Sequence, residues 1–359
     1  MKIAGRLLIT IFFVFLYNYS FSQTENNTEN THNEATTEKE FDAGKFILEH
    51  IGNSYYWHIA EFGEFSLSIP LPVIIYSKNK GLNVFLSSKF HHGHESYKGF
   101  KISESEKNEG KIVEISENGE EIRPIDISIT KNVLSLFVGI ALLLAVFLSI
   151  AKSYKKNPLK APTGIQSLLE PLILFVRDDI AKSSIGEKKY EKFLPYLLTC
   201  FFFIFFNNLL GLIPIFPGGA NLTGNISITL VLALLTFLIT TFSANKYYWK
   251  HIFWPPVPML LKYPIMFIVE ILGVIIKPFV LMVRLFANIT AGHIVAMGFF
   301  ALIFIFGNLS IYAGYGVTIL SITFTVFMTF LELLVAFIQA YVFTLLSAIY
   351  FGMATEEHH

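Results

Sequence analysis

Charge is what this chain lacks most. Only 15% of its 359 residues are Asp, Glu, Lys or Arg, against about 25% in an ordinary soluble domain. The positive and negative charges cancel, so composition supplies neither a basic face for nucleic acid nor an acidic field. Cysteine is nearly absent as well. Cys200 stands alone inside an apolar run, which excludes an intrachain disulfide, a CxxC redox pair and a thiolate metal cluster. The apolar segments hold no HExxH motif and no paired aspartates, which argues against an intramembrane enzyme. No internal repeat relates the early apolar segments to the late ones, which weakens an inverted-repeat transporter architecture.

What the chain does have is apolar surface, unevenly placed. Hydrophobic residues make up 53% of it, concentrated in 132–353, whereas 24–131 is rich in Glu, Lys and Asn. Residues 1–22 carry Lys2 and Arg6, then a short apolar stretch, then Ser20 and Ser22 at the small-residue positions of a cleavage site. This is the pattern of a secretory signal peptide. The mature chain is expected to begin at Gln23, and intact-mass measurement of purified material tests this: retention of 1–22 would refute it. Residues 23–40 read as a disordered polar segment. Residues 41–130 read as a small extracytoplasmic module of mixed or β character, with alternating runs at 65–69 and 110–115. His91, His92 and His94, with His50 and His58 upstream, form no ligand spacing; they read as a solvated loop, with no metal or cofactor expected.

The remainder, 131–359, reads as an all-α polytopic membrane ion-channel domain with about five passes, at about 132–152, 194–215, 226–244, 263–306 and 317–352. The first is followed by Lys152, Lys155, Lys156, Lys160, Arg177, Lys182, Lys188, Lys189 and Lys192, a basic loop that marks the cytoplasmic side. Within it, Ile165, Leu168, Leu169, Leu172, Phe175 and Val176 form the apolar stripe of a surface-lying helix. The connector PGGANLTGN is uncharged, as expected outside, and the next carries Lys246, Lys250 and Lys262, as expected inside. This places the amino-terminal region outside and the carboxyl terminus inside a bacterial inner membrane. The last two stretches are too long for upright crossing: about 40 helical residues extend about 60 Å, twice the hydrocarbon thickness. They are expected to form a strongly tilted or broken helical hairpin.

Ionisable groups inside such segments are costly, about 2.5–3.5 kcal/mol each at a span centre, so each needs a reason. The fourth stretch holds Glu270, Lys277, Arg284 and His293, and the fifth holds Glu332. Glu270, Lys277 and Arg284 are seven residues apart and share a helix face, with Asn288 one turn further on. In an antiparallel hairpin, residues equidistant from the turn face each other. The connector 307–316 centres on 311.5; His293 and Glu332 average 312.5, and Arg284 and Gln339 average 311.5. Both pairs therefore match in depth. A buried His–Glu pair can share and pass a proton, whereas a guanidinium cannot deprotonate, and nothing acidic lies within a turn of Arg284. Its counter-ion is expected from a partner's membrane carboxylate. Asn207, Asn208, Asn225, Ser227 and Thr229 extend a polar path toward the outer surface. Each is also open to the plainer reading of a helix–helix hydrogen bond. Lys277, before Pro278, is equally open to a structural role, and Glu270 to contact with interfacial water.

These residues resemble a known family. The segment KPFVLMVRLFANITAGHI (277–294) is similar to the signature of F-type ATP synthase subunit a, an Arg-Leu-Phe-x-Asn core followed by Ala-Gly and an ionisable position. ELLVAFIQAYVFTLLSAIYFGMATEEHH (332–359) looks like that family's last helix and tail, and NNLLGLIP (207–214) and GNISITLVLAL (224–234) resemble its middle spans. The resemblance covers about 160–359. It implies a non-catalytic ion-translocating subunit that presents two proton half-channels to a rotating ring of c subunits. Arg284 would be the fixed charge facing the ring carboxylates, with Gln339 and Asn288 beside it. Peripheral stalk subunit b and, indirectly, the catalytic head would be further partners, with lipid around them and no nucleic acid. Some relatives place an acid after the Ala-Gly and a histidine on the last helix; here His293 and Glu332 exchange those places. Gly211 stands where some relatives carry an acid. The alternative is a stand-alone proton-coupled transporter, which would need its own acid opposite Arg284.

Overall fold

The computed structural model describes residues 44, 47, 52–62, 65–93, 95–105, 107–116, 119–156, 161–213, 217–254 and 267–356. The expected signal peptide 1–22 and polar segment 23–40 lie outside these, as do His50 and His94. Two compact units form, one from 55–128 and one from 129 onward together with 42–54.

The first unit is β-structured, as its alternating runs predict. Strands β1 (Tyr56–Phe62) and β2 (Phe65–Pro70) make an antiparallel hairpin. Strands β3 (Pro72–Ser77) and β4 (Gly81–Leu86) make a second, joined by β8 (Ile125–Asp126) in the order β4-β3-β8. Strands β5 (Phe100–Ile102), β6 (Ile112–Ile115) and β7 (Glu121–Ile122) form a third sheet. Val73, Ile75, Phe90 and Phe100 are fully buried in a shared core with Tyr55, Tyr56 and Ile112. The Glu121 carboxylate accepts hydrogen bonds from Ser103, Ser105 and Asn108 and pairs with Lys101. Those bonds, the Ser103 hydroxyl's foremost, hold its pKa down to about 2. His91 lies beside Glu95 at the exposed surface, 3.6 Å away.

The second unit is helical. Helix α1 is Lys131–Lys156 and α2 is Ile165–Phe175, which continues through a π-helical turn, Val176–Lys182, and a short turn, Ser183–Ile185. Then come α3 (Tyr190–Leu212), α4 (Ile226–Ser243), α5 (Lys246–Phe253), α6 (Phe267–Leu309) and α7 (Ile311–Thr355). Five of these helices, α1, α3, α4, α6 and α7, are long and apolar enough to cross a membrane. The chain is a multi-pass membrane protein. Helices α6 and α7, with 43 and 45 residues, each extend about 65 Å at 1.5 Å per residue. Pro278 lies inside α6 without ending it. In α2 the expected stripe divides: Leu169 and Val176 are buried, whereas Ile165 and Leu168 remain exposed.

The hairpin connector departs from expectation. In place of a loop at 307–316, helix runs to Leu309 and resumes at Ile311, leaving Ser310 as the one extended residue between them. Gly, Asn and Ser read as loop in water. In a bilayer, however, each backbone N–H must be satisfied internally, and continuing the helix does that. The turn closes because Gly307 and Gly314 meet: a Cβ on Gly314 would lie 2.9 Å from the Gly307 Cα.

The core between helices is built largely from phenylalanine. Between α2, α3 and α7, Phe201 meets Phe175 and Phe337 edge to face, as Phe205 meets Phe337, while Phe175 lies tilted against Phe337; Phe193 stacks on Phe351 at 4.8 Å. At the far end of α7, a Cβ on Gly352 would stand 2.1 Å from the Ser184 carbonyl oxygen. Backbone cannot yield as a side-chain tip can. Gly352→Ala is therefore expected to cost about 1–3 kcal/mol and to lower the thermal midpoint of the detergent-solubilised protein. Gly298→Ala, with open space around it, should leave the midpoint nearly unchanged, and equal behaviour of the two would overturn the packing argument.

Candidate functional site

The hairpin geometry brings His293 of α6 and Glu332 of α7 together, with Nδ1 and Oε1 4.0 Å apart and both side chains mostly buried. Small residues make this possible. A Cβ on Gly292 would already stand 3.0 Å from Glu332 Oε1, so Gly292 gives the carboxylate its space. The pair opens on a cavity of about 160 Å³. Its walls are the end of α3 (Asn207, Asn208, Gly211), the connector 220–223, α6 (Asn288, Gly292, His293) and α7 (Met328, Glu332, Val335).

Polar atoms in this wall lack protein partners. Asn207 Nδ2 donates to the Phe203 carbonyl oxygen at 2.7 Å, and the Thr223 hydroxyl donates to Asn208 Oδ1 at 2.5 Å. Asn207 Oδ1, Asn208 Nδ2, Asn221 Nδ2 and Glu332 Oε1 are buried without a hydrogen-bond partner among the described residues. Leaving such groups dry costs about 1–3 kcal/mol apiece. A cavity of this size has room for about five waters at 30 Å³ each, and waters there would satisfy all four. The arrangement is a pocket whose mostly apolar wall carries a cluster of unpartnered polar atoms beside the His293–Glu332 pair. Gly139 of α1 helps to form it, since a Cβ there would lie 2.3 Å from Asn207 Oδ1.

Asn288 bounds the pocket one helical turn from Arg284. Arg284 itself is exposed on the outside of the chain, and no carboxylate among the described residues pairs with it. His293 lies nine positions further along the sequence, about 13.5 Å along α6. Gln339 is 5% exposed, and no hydrogen bond joins it to Arg284. On the other side of Arg284, Lys277 Nζ sits 5.5 Å from the centre of the Tyr350 ring. A second, smaller cavity of about 20 Å³ lies there, lined by Lys277, Tyr350, Thr236, Thr240, Thr241 and Tyr248. Glu270 is half-buried in the first turn of α6, close enough for its charge to act on both Lys277 and Tyr248.

Not every polar residue singled out from the sequence reaches the pocket. Asn225 caps α4, its side chain accepting from the Ser227 amide at 3.0 Å, and the Thr229 hydroxyl bonds back to the Ile226 carbonyl. Conversely, Asn221 and Thr223 line the pocket and were not singled out. They lie in the uncharged connector, whose one signal was polarity without charge.

Similarity to known proteins follows the same division. Residues 133–352 match the family described as ATP synthase A chain, and 46–131 match one described as a domain of unknown function. The ATP synthase subunit a of Chloroherpeton thalassium is 43% identical over 246 residues, which is 66% of this chain and 70% of that protein. The ATP synthase subunit a 2 of Chlorobaculum tepidum is 46% identical over 245 residues, 66% of this chain and 65% of that one. For the ATP synthase subunit a of Myxococcus xanthus the figures are 41% over 255 residues, 68% and 80%.

Proposed function

The chain belongs to the ATP synthase A chain family, and from that premise we propose how its own residues move protons. As subunit a it is a non-catalytic, proton-translocating membrane subunit that works with the other Fo and F1 subunits. In our reading, the larger cavity is one half-channel. Protons enter past Asn207, Asn208 and Asn221, pass through the His293–Glu332 pair and leave beside Asn288 for a carboxylate on the c-ring. Arg284 holds that carboxylate charged until a proton arrives and repels any proton crossing directly, with Gln339 beside it on α7. The second half-channel begins at the Lys277–Tyr350 cavity and leads toward Glu270. The observation that carries this reading is the cavity with its unpartnered polar atoms, which holds the acid–base pair and ends one turn from an exposed arginine.

The lysine-rich 152–192 segment and the uncharged 217–225 connector support an orientation with the amino-terminal module outside and the carboxyl terminus in the cytoplasm. The peripheral stalk subunit b is the expected neighbour on the flank away from the ring.

Water access tests the half-channel directly. Val335 lines the cavity without a role in proton transfer, so Val335→Cys in a Cys200→Ser background should retain pumping. Silver ion should then inhibit this variant strongly and its parent little. Insensitivity of both would mean that the cavity is dry, and the route would fail.

A further inference from the structure

The β4-β3-β8 sheet of the amino-terminal unit is apolar on both faces. One face buries Val73 and Ile75 in the unit's core. The opposite face carries Leu82, Val84 and Leu86 on alternate positions of β4, with Tyr76 opposite Leu82 on one side and opposite Ile125 on the other. Ile127 extends the row, its amide donating to the Ile74 carbonyl. Leu82, Val84, Ile125 and Ile127 are between 60% and 65% exposed. An antiparallel sheet with a solvated face alternates apolar with polar residues. Single exposed apolar residues need no explanation, but a contiguous patch marks a surface that something covers.

Chain length limits what can cover it. Ile127 lies four residues before Lys131, where α1 begins, and four extended residues reach at most about 14 Å. Exposed Phe137, Ile140 and Leu144 follow on α1, a helix long and apolar enough to cross a membrane. The patch is thus tied by a short strand to a helix that enters the bilayer. Its chemistry points the same way. A specific protein interface needs about one hydrogen bond per 100–200 Å² and a polar rim to fix its register. Among the described residues of β3, β4 and β8 on this face, the Tyr76 hydroxyl is the one polar side-chain group, and an amphipathic ring suits the interface between headgroups and acyl chains. We propose that this sheet face lies on the bilayer, seated at the headgroup–acyl boundary of the leaflet at the Lys131 end of α1. The module then rests on the membrane surface, independent of how the proton path is read.

The test uses the assembled synthase in phosphatidylcholine nanodiscs, with Val84→Cys in a Cys200→Ser background labelled with an environment-sensitive NBD fluorophore. Lys107→Cys, on an exposed turn, serves as the control, and Leu82→Cys replaces Val84→Cys if that variant does not assemble. A lipid carrying a doxyl group near its headgroup should quench the sheet-face label about threefold more than the control, with blue-shifted emission. Blue-shifted emission without lipid quenching would show that a protein covers the face and would overturn the proposal. Emission matching the control, quenched by aqueous iodide, would show a bare surface and overturn it equally.

Discussion

Synthase carrying Arg284→Ala is expected to assemble with its ring and head, yet to acidify inverted vesicles no faster than ATP-free controls. Arg284 is exposed on α6 and pairs with no carboxylate among the described residues, so no internal ion pair is lost when it is removed. Assembly should therefore survive. What disappears is the fixed charge that would keep an arriving ring carboxylate ionised and block direct proton leak. An arginine at the centre of a span costs about 2.5–3.5 kcal/mol on insertion scales, an expense that no ion pair offsets among the described residues. Arg284→Lys should also be severely impaired, because lysine keeps the charge but loses the planar fork and, once desolvated, surrenders its proton readily. ATP-driven fluorescence quenching of a pH dye in inverted vesicles reads both variants. Near-normal pumping by assembled Arg284→Ala enzyme would sink the mechanism.

The second large effect is one of coupling. His293→Glu alone places two acids together, and Glu332→His alone places two imidazoles together. Each single exchange should lower proton flux at least tenfold, whereas the double exchange restores an acid and a base across the same 4.0 Å gap and should recover much of the loss. Recovery of tenfold corresponds to a coupling of about 1.4 kcal/mol, within the range for residues in contact. The measurement is passive proton flux through Fo in vesicles stripped of the head. If the double variant instead shows the product of the two single losses, the sites act independently and a shared proton is excluded. Gly292 supplies an internal check: Gly292→Val would press on Glu332 and should reduce flux without altering either ionisable group.

The membrane made much of this fold readable. Five long apolar runs could only be helices, since no other backbone arrangement of that length satisfies its own hydrogen bonds in lipid. The facing of His293 and Glu332 followed from equidistance about the turn, because antiparallel helices of equal rise hold their register over several turns. Phe299 and Phe324, which also average 311.5, stack at 5.1 Å by the same geometry. The details that escaped were those in which water-based rules misled. Gly307, Asn308 and Gly314 spell a loop in solution, yet lie in helix here. Asn221 and Thr223 belong to a connector with no periodicity, so nothing local told that they fold against Asn208. Asn225 carried the polarity of a path residue, but a side chain at the start of a helix is claimed first by the free amides there.

The turn at Ser310 has a mechanical consequence. A hairpin joined by a loop can hinge; one joined by a single extended residue, with two glycine backbones in contact across it, behaves as a folded beam. On the proposed mechanism, tangential drag exerted on Arg284 by a passing ring would be carried along α6 into that joint and returned through α7, whose far end is braced where Gly352 meets the Ser184 carbonyl. Elastic give in the stator would let each step of the ring be absorbed as strain. With the beam stiff and braced at the Gly352 contact, the proposed mechanism would leave compliance to the rotor and the stalk, and the proton's work would go into rotation.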